Sequence, residues 1–372
     1  MKTMLVLGIM SGTSMDGVDY ALCRITEKGC KLVDLWKARF PLPLQQRLIA
    51  AASNRASSYE VGQLHHDLGR FYAQHASRSR LKPELVGVHG QTIFHNPARR
   101  NRATFQIGEP AYLAAKLGVA VVSNFRAADI AAGGQGAPLA TIFHVAAFGR
   151  RGRHICVNNI GGISNVTSID LTHAPEAEIE AFDTGPGNVL VDLAMRELTQ
   201  CKLQMDRGGE WAAKGRANEA LLLEWLRHPF FRQEPPKSTG RELFGEPFFT
   251  LAMAQMKRLR LSKYDIIATL TEFTARSIAL NYRLHLNIPQ QVILTGGGAA
   301  NRVLVRAIER ELLKVGSPIE VTTSADHGWP LQAVEPATFA LLAYLRVNNE
   351  PGNIPLTTGA RGSAMLGQVS LP

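Results

Sequence analysis

Asp183 stands in Phe182-Asp183-Thr184-Gly185-Pro186-Gly187-Asn188, after an expected strand over 179–182 and just ahead of an expected helix. A carboxylate at the end of a strand beside a helix start suits a general base. Phosphoryl transfer asks mainly for positioning, charge neutralisation and one residue that orients the nucleophile, and one Asp meets that need. The same residue could instead cap the helix, although Gly187 or Asn188 lies closer to its start. Ser11-Gly12-Thr13-Ser14-Met15-Asp16-Gly17 follows an apolar strand. Its glycines and hydroxyls can turn backbone N–H groups toward an anion, while Asp16 or Asp19 could hold a cation. Taken alone, that stretch also reads as a hairpin turn serving only turn chemistry. Asn158-Asn159-Ile160-Gly161-Gly162-Ile163-Ser164-Asn165 is a second such turn, and Leu294-Thr295-Gly296-Gly297-Gly298-Ala299-Ala300-Asn301 a third, placed between a strand and a helix N-terminus. Three small-residue turns at strand ends point to phosphate as the guest, because a nucleotide can approach backbone only where side chains are absent.

Other segments carry polar groups between apolar ones: His89-Gly90-Gln91-Thr92, Phe125-Arg126 with Asp129, and Lys237-Ser238-Thr239-Gly240-Arg241-Glu242. Each also reads as a plain surface turn. His65-His66 reads as a solvated helix face, and Met253 with Met256 as core packing. No G-x-x-x-x-G-K-[ST], complete dinucleotide fingerprint, G-x-S-x-G elbow or H-E-x-x-H helix occurs, which excludes the P-loop, Rossmann, hydrolase-elbow and zincin readings.

The elements that must position these groups alternate along the chain. Strands are expected at 4–9, 18–25 and 32–36, a helix at about 58–78, then a strand at 85–89, a helix at 111–117, a strand at 119–122 and a helix at 139–148. The second half repeats the theme, with strands at 155–160, 166–169 and 179–182, helices at 189–198, 218–226 and 266–284, then strand 291–294, helix 302–313 and strand 319–321. That order implies an α/β fold with a parallel, helix-covered sheet, and the recurrence of a Gly/Ser/Asn turn after a first strand suggests internal duplication. The expected division is 1–135 and 136–372, with the final segment returning to the first domain and the site in a cleft between the two.

At 372 residues the chain has about two domains' worth of length, enough for a sizeable core. Its 45% hydrophobic and 19% charged composition excludes disorder as the main state. The longest apolar runs, near 111–122 and 333–345, are broken by Lys116 and by Glu335 with Pro336, so no membrane span is expected. The opening residues look superficially like a leader, but the apolar run stops at Met10 and Asp16 and Asp19 follow, which favours a buried first strand. Cys23, Cys30, Cys156 and Cys201 form no C-x-x-C pair and fit reduced thiols in a cytoplasm. A net charge of +10 raises the question of nucleic acid. The basic residues are scattered without interleaved aromatics, so no nucleic-acid partner is expected, and the charge reads as the surface of an enzyme that handles anions.

Jointly, these motifs resemble one family, the anhydro-N-acetylmuramic acid kinases of the acetate/sugar kinase and actin-like superfamily. The stretches that carry the resemblance run from Met10-Ser11-Gly12 through Val18-Asp19, His89-Gly90-Gln91-Thr92, Gly133-Gly134-Gln135-Gly136-Ala137-Pro138, the Gly161-Gly162 turn, the Asp183 segment, Lys237 to Glu242, and Gly296-Gly297-Gly298. The resemblance implies two related RNase H-like domains with ATP and magnesium in an interdomain cleft. It implies that Gly12, Thr13, Ser14, Met15, Asp16, Gly17, Val18 and Asp19 bind the ATP phosphates, with Asp16 as metal ligand and Gly161 and Gly162 facing them. Gly296, Gly297 and Gly298 would lie near the adenosine, and Asp183 would be the catalytic base. His89, Arg126, Gly136 and Ala137 would wall the sugar, Arg126 pairing with its lactyl carboxylate. The implied reaction opens 1,6-anhydro-N-acetylmuramic acid with water and phosphorylates O6, in recycling of cell-wall (peptidoglycan) amino sugars, and a cytoplasmic homodimer agrees with it. One departure occurs near the C-terminus, where a Gly-Asp-Asp-Met-Glu-Ala-like run in relatives is replaced by Pro330-Leu331-Gln332-Ala333-Val334-Glu335-Pro336-Ala337. Glu335 survives there as a secondary substrate residue, and Pro336 fits the first turn of a helix. Kinases of another amino sugar and a non-catalytic sugar-binding relative are the alternatives.

Overall fold

A computed structural model describes residues 2–12, 14–97, 101–173, 177–316 and 318–372. The chain forms two compact units, one of residues Met1–Ala147 with Gly328–Pro372 and one of Phe148–His327.

The first unit holds β1 (Met4–Ser11), β2 (Gly17–Thr26), β3 (Gly29–Arg39), β4 (Leu85–Asn96), β5 (Ala103–Ile107) and β6 (Val121–Ser123). The second holds β7 (His154–Ile160), β8 (Ile163–Asp170), β9 (Glu178–Pro186), β10 (Gln291–Thr295) and β11 (Glu320–Thr323), and β12 (Gln368–Ser370) returns to the first sheet. The sheet orders are β3-β2-β1-β4-β6-β12, with β5 on β4, and β9-β8-β7-β10-β11. The expected parallel sheet is in both cases mixed: the first three strands, joined by connections too short for a crossover, are antiparallel neighbours, and of these only the first pairs in parallel with the fourth, after helices intervene. The order is that of an RNase H-like sheet, laid down twice. The turn after β1 and the Gly161-Gly162 turn after β7 therefore occupy equivalent places, as the expected duplication requires.

Strand lengths exceed the sequence expectation because pairing continues past the apolar runs. β4 extends through Asn96 by pairing with β5, whose residues carry no strong alternation. The expected join at 135/136 differs from the observed one at 147/148, and local contacts explain the placement of the intervening residues. The Asp129 carboxylate accepts from Gly136 N, Asn353 Nδ2 and Thr358 Oγ1, each at 2.7 Å, and the Phe143 and Trp329 rings meet edge-on at 4.8 Å.

The helix Val334–Val347 packs on the first sheet at Gly8 and Gly87, which are directly paired on the parallel strands β1 and β4. A Cβ at Gly8 would overlap the Pro336 carbonyl, and one at Gly87 would overlap that of Phe339. Absent side chains thus set the depth of the helix, and its first turn, with Glu335 and Pro336, includes the altered stretch noted in the sequence. In the second unit a cluster of Trp225, Phe230, Phe231, Phe244, Phe248 and Phe273 backs β9. Among the described residues, no helix is long and apolar enough to cross a membrane.

Candidate active site

The first unit brings several of the expected residues together. β1 ends at the buried Ser11, whose hydroxyl donates to Gly90 O at 3.1 Å and lies 2.9 Å from Tyr72 Oη. The turn that follows is closed by Met15 N–H donating to Gly12 O at 3.1 Å, with Met15 at φ 53°. Gln91 Nε2 donates to that same Gly12 oxygen at 3.2 Å, tying the turn to β4. Thr13 lies outside the described residues. Gly17 and Val18 begin β2 and are buried, and Gly17 permits the close approach of Ala38.

Asp16, expected as the metal ligand, has both oxygens engaged: Ser14 Oγ donates to Oδ1 at 2.8 Å and Lys37 Nζ to Oδ2 at 2.7 Å. Burial pushes its carboxyl up, but the Lys37 ion pair and Ser14 outweigh that and leave it lowered. Lys37 was not singled out in the sequence because it lies in a third strand, and only the β2–β3 pairing brings it opposite Asp19. Asp19 is paired through its backbone in the sheet, but its carboxylate has no hydrogen-bond partner among the described residues. Burial pushes it up to about 6, against the pull of Lys37 and with a further push from Asp16. Glu335 is exposed as a residue, and its carboxyl is raised by desolvation, with Asp19 adding to the effect and Arg126 and Lys37 opposing it.

Arg126 and Asp129 lie on the helix Phe125–Ala131, not in the loop that the sequence suggested, since Asn124 at φ 55° turns the chain into a helix directly after β6. His89 Nδ1 lies 2.8 Å from Gly90 O, an atom that can only accept, so Nδ1 carries the proton and Nε2 accepts. Arg126 supplies that bond from Nε at 3.1 Å and Nη2 at 2.9 Å, and its Nη1 donates to Gly136 O at 2.6 Å. Burial and the Arg126 charge hold His89 well below the usual histidine range, so it stays neutral. Of the five N–H bonds of the guanidinium, one on each terminal nitrogen is left for a ligand. Ala137 follows Gly136 and precedes a cis peptide to Pro138.

In the second unit Asp183 lies inside β9, not beyond its end, at an irregularity where Ser164 and Asn165 face Gly185 and Asp183 and leave Thr184 as the extra residue. The bulge is held from behind: Thr184 Oγ1 donates to Ser164 Oγ and Asn281 Nδ2 to Thr184 O, both at 2.8 Å. The half-buried Asp183 carboxylate accepts one hydrogen bond, from Thr239 N at 2.8 Å, while its own N–H donates to Lys237 O at 3.1 Å. Burial pushes the carboxyl up to about 7, against Thr239 N–H and with help from Glu242. The helix cap is Asn188, which leaves Asp183 free of that duty. Lys237 is buried; its Nζ donates to Phe231 O at 3.2 Å, sits 5.0 Å over the Phe230 ring and is pushed down to about 8 by burial.

Gly161 and Gly162 turn their carbonyls to the start of the helix Val189–Leu198, accepting from Asn188 N at 2.8 Å and Gly187 N at 2.9 Å. The triple glycine leads into a 3-10 turn, Gly297–Ala300, rather than straight into a helix, and Asn301 Oδ1 caps the helix Arg302–Leu312 through Val303 N and Leu304 N, both at 3.1 Å. That helix end, expected to face a ligand, is therefore already satisfied. Gly296 and Gly298 are required by crowding against Asn159 and Ile160, whereas a Cβ on Gly297 would meet nothing within 4 Å.

A family model described as "AnmK: Anhydro-N-acetylmuramic acid kinase" matches residues 4–372. Proteins of that description from Acaryochloris marina and a Synechocystis strain are 42% and 41% identical, over 98% and 99% of this chain and 99% of each relative. One from Caldanaerobacter subterraneus is 36% identical over 99% of this chain and 97% of its own length. Among solved structures, the activator of 2-hydroxyisocaproyl-CoA dehydratase from Clostridium difficile with bound ADPNP is similar at a TM-score of 0.45 and 13% identity, covering 93% of this chain and 96% of its own.

Proposed function

This chain belongs to the anhydro-N-acetylmuramic acid kinase family, and from that premise we propose that it uses ATP to open 1,6-anhydro-N-acetylmuramic acid with water and phosphorylate O6, giving N-acetylmuramic acid 6-phosphate and ADP. The observation that carries this reading is the Asp183 carboxylate, held at a bulge by one backbone N–H and pushed up to about 7, near the pH at which a general base works best.

In this reading Asp183 takes a proton from the water whose oxygen forms a bond to C1. The C1–O6 bond breaks, its electron pair stays on O6, and O6 attacks the γ-phosphorus as the bond to ADP breaks. Arg126, fixed by His89 and Gly136, turns its two free N–H groups to the lactyl carboxylate. Gly136 and Ala137 shape the sugar wall, and Glu335 contributes from the helix start. The backbone N–H groups at Gly12 and Ser14 receive ATP phosphates, Gly161 and Gly162 form the second phosphate turn, and Gly297 offers the open surface for the adenosine. A magnesium ion held mainly by phosphate oxygens needs only one or two carboxylates. Asp19, whose carboxylate has no hydrogen-bond partner among the described residues, fits that role better than Asp16, which is committed to Lys37. Bound there, the ion would neutralise phosphate charge. ATP dependence places the work in the cytoplasm, and a homodimer is the proposed assembly.

A coupled assay for ADP with the anhydro sugar, N-acetylmuramic acid and N-acetylglucosamine tests the proposal. ADP release with the anhydro sugar alone supports it, and release only with another sugar overturns the substrate assignment.

A further inference from the structure

A cavity of about 480 Å³ opens in the second unit, walled by Leu226, Ala279 and Leu280 and reaching the exposed Leu223 and Leu284. That size falls within the range of small-molecule sites. Its cations divide into two sets. Arg276 is consumed by carboxylates, with Nη1 at 2.6 Å and Nη2 at 2.8 Å from Glu219 and Nε at 2.9 Å from Glu272, and Lys314 pairs with Glu311 at 2.7 Å. Arg227, Arg232 and Arg283 also line the cavity, and none has an ion-pair or side-chain hydrogen-bond partner among the described residues. Glu311 also lines the cavity but is already shared between Lys314 and Arg310, so these three guanidiniums are left electrostatically unbalanced, within a chain whose net charge is +10.

Each guanidinium presents a planar fork suited to phosphate oxygens, and three such groups suit a dianion better than a single carboxylate. The leucine walls suit an apolar body rather than a bare ion. We propose that this cavity is a second ligand site, which takes a small organic phosphate with its phosphate on Arg227, Arg232 and Arg283 and its apolar part against Leu223, Leu226, Leu280 and Leu284. The site stands apart from the Asp183 machinery, but it shares a support with it. Arg232 ends the 3-10 turn Pro229–Arg232, and the preceding residue, Phe231, packs on Gly185 and accepts the Lys237 hydrogen bond through its carbonyl.

The test is calorimetric titration of the full chain with octyl phosphate below its micellar concentration, beside octanoate, inorganic phosphate and vesicles of anionic lipid. Octyl phosphate should bind more tightly than octanoate or inorganic phosphate, and more weakly as salt is raised. The double variant Arg227→Gln/Arg283→Gln should bind it about tenfold or more weakly, because a charge-assisted hydrogen bond is lost at each position. Both side chains are exposed, so the variant should keep its melting temperature and its sugar-dependent ADP release, which separates failure of this site from failure of the kinase reading. Equal binding by the variant, equal binding of octanoate or inorganic phosphate, or binding to vesicles alone would each overturn the proposal.

Discussion

Thr239 N–H donates to Asp183 Oδ2 at 2.8 Å and is the single hydrogen bond that this carboxylate accepts among the described residues. One donor offsets part of the burial cost and leaves the group near 7 instead of in the usual carboxylate range. Replacing Asp183 by Asn keeps an oxygen for Thr239 but removes the base. Turnover should fall by about 10²–10⁴-fold with ATP affinity unchanged, as single-turnover and binding measurements would show.

The same shift makes a stability prediction of definite sign. The folded value of Asp183, about 7, lies above the ordinary 3.8, so its contribution is fully present below about pH 4 and is lost as pH rises through 7. Asp183→Asn should therefore melt higher than the wild type at pH 8, and the gap should close as the pH is lowered toward 4. A variant that melts lower at pH 8 would show that the carboxylate is not strained in the fold.

Activity should follow the same group. Below about pH 7 the base is protonated, so kcat should fall toward tenfold per pH unit, measured under saturating sugar and ATP. Lys237→Met removes the ammonium that ties residues 237–239 to Phe231 O. It should lower kcat and move this acid limb, with the KM for ATP unchanged.

His89 and Arg126 act as one unit, because the neutral imidazole orients the guanidinium. Arg126→Lys loses the fork and should raise the KM for the anhydro sugar about tenfold or more, the scale of one hydrogen bond to a charged group. With 1,6-anhydro-N-acetylglucosamine, which lacks the lactyl carboxylate, the variant and the wild type should be alike.

Gly8→Ala and Gly297→Ala separate folding from binding. At Gly8 the new methyl meets the Pro336 carbonyl and must displace the helix Val334–Val347, which should cost roughly 1–3 kcal/mol or more in denaturant titrations. At Gly297 it meets nothing, so stability should hold while ATP affinity falls.

The reach of the sequence can be judged from these residues. The recurrence of strands, helices and small-residue turns was legible in the apolar runs, but the antiparallel pairing of the first three strands of each sheet was not, because alternation alone reads as a parallel sheet. The Asp16–Lys37 pair was not legible, because its residues lie 21 positions apart and meet only through the register of β2 with β3. The Thr184 bulge was hidden as well, since a Thr-Gly-Pro run reads as the end of a strand until pairing with Ser164 and Asn165 extends it. Arg126 was placed in a loop because its helix is seven residues long and opens without a side-chain cap. The roles of Gly8 and Gly87 emerge only once the helix Val334–Val347, far along the chain from both, is seen to lie on them.

The central claim is that Asp183 activates water against C1 of the anhydro sugar. It is tested most directly by running single turnovers in ¹⁸O-water with wild type and Asp183→Asn, beside preformed product in the same water to correct for anomeric exchange. The account predicts a 6-phosphate that carries one solvent oxygen at C1 and none in its phosphoryl group, formed by the variant about 10²–10⁴-fold more slowly although it still binds ATP. Product without solvent oxygen, or comparable turnover by Asp183→Asn, would contradict it.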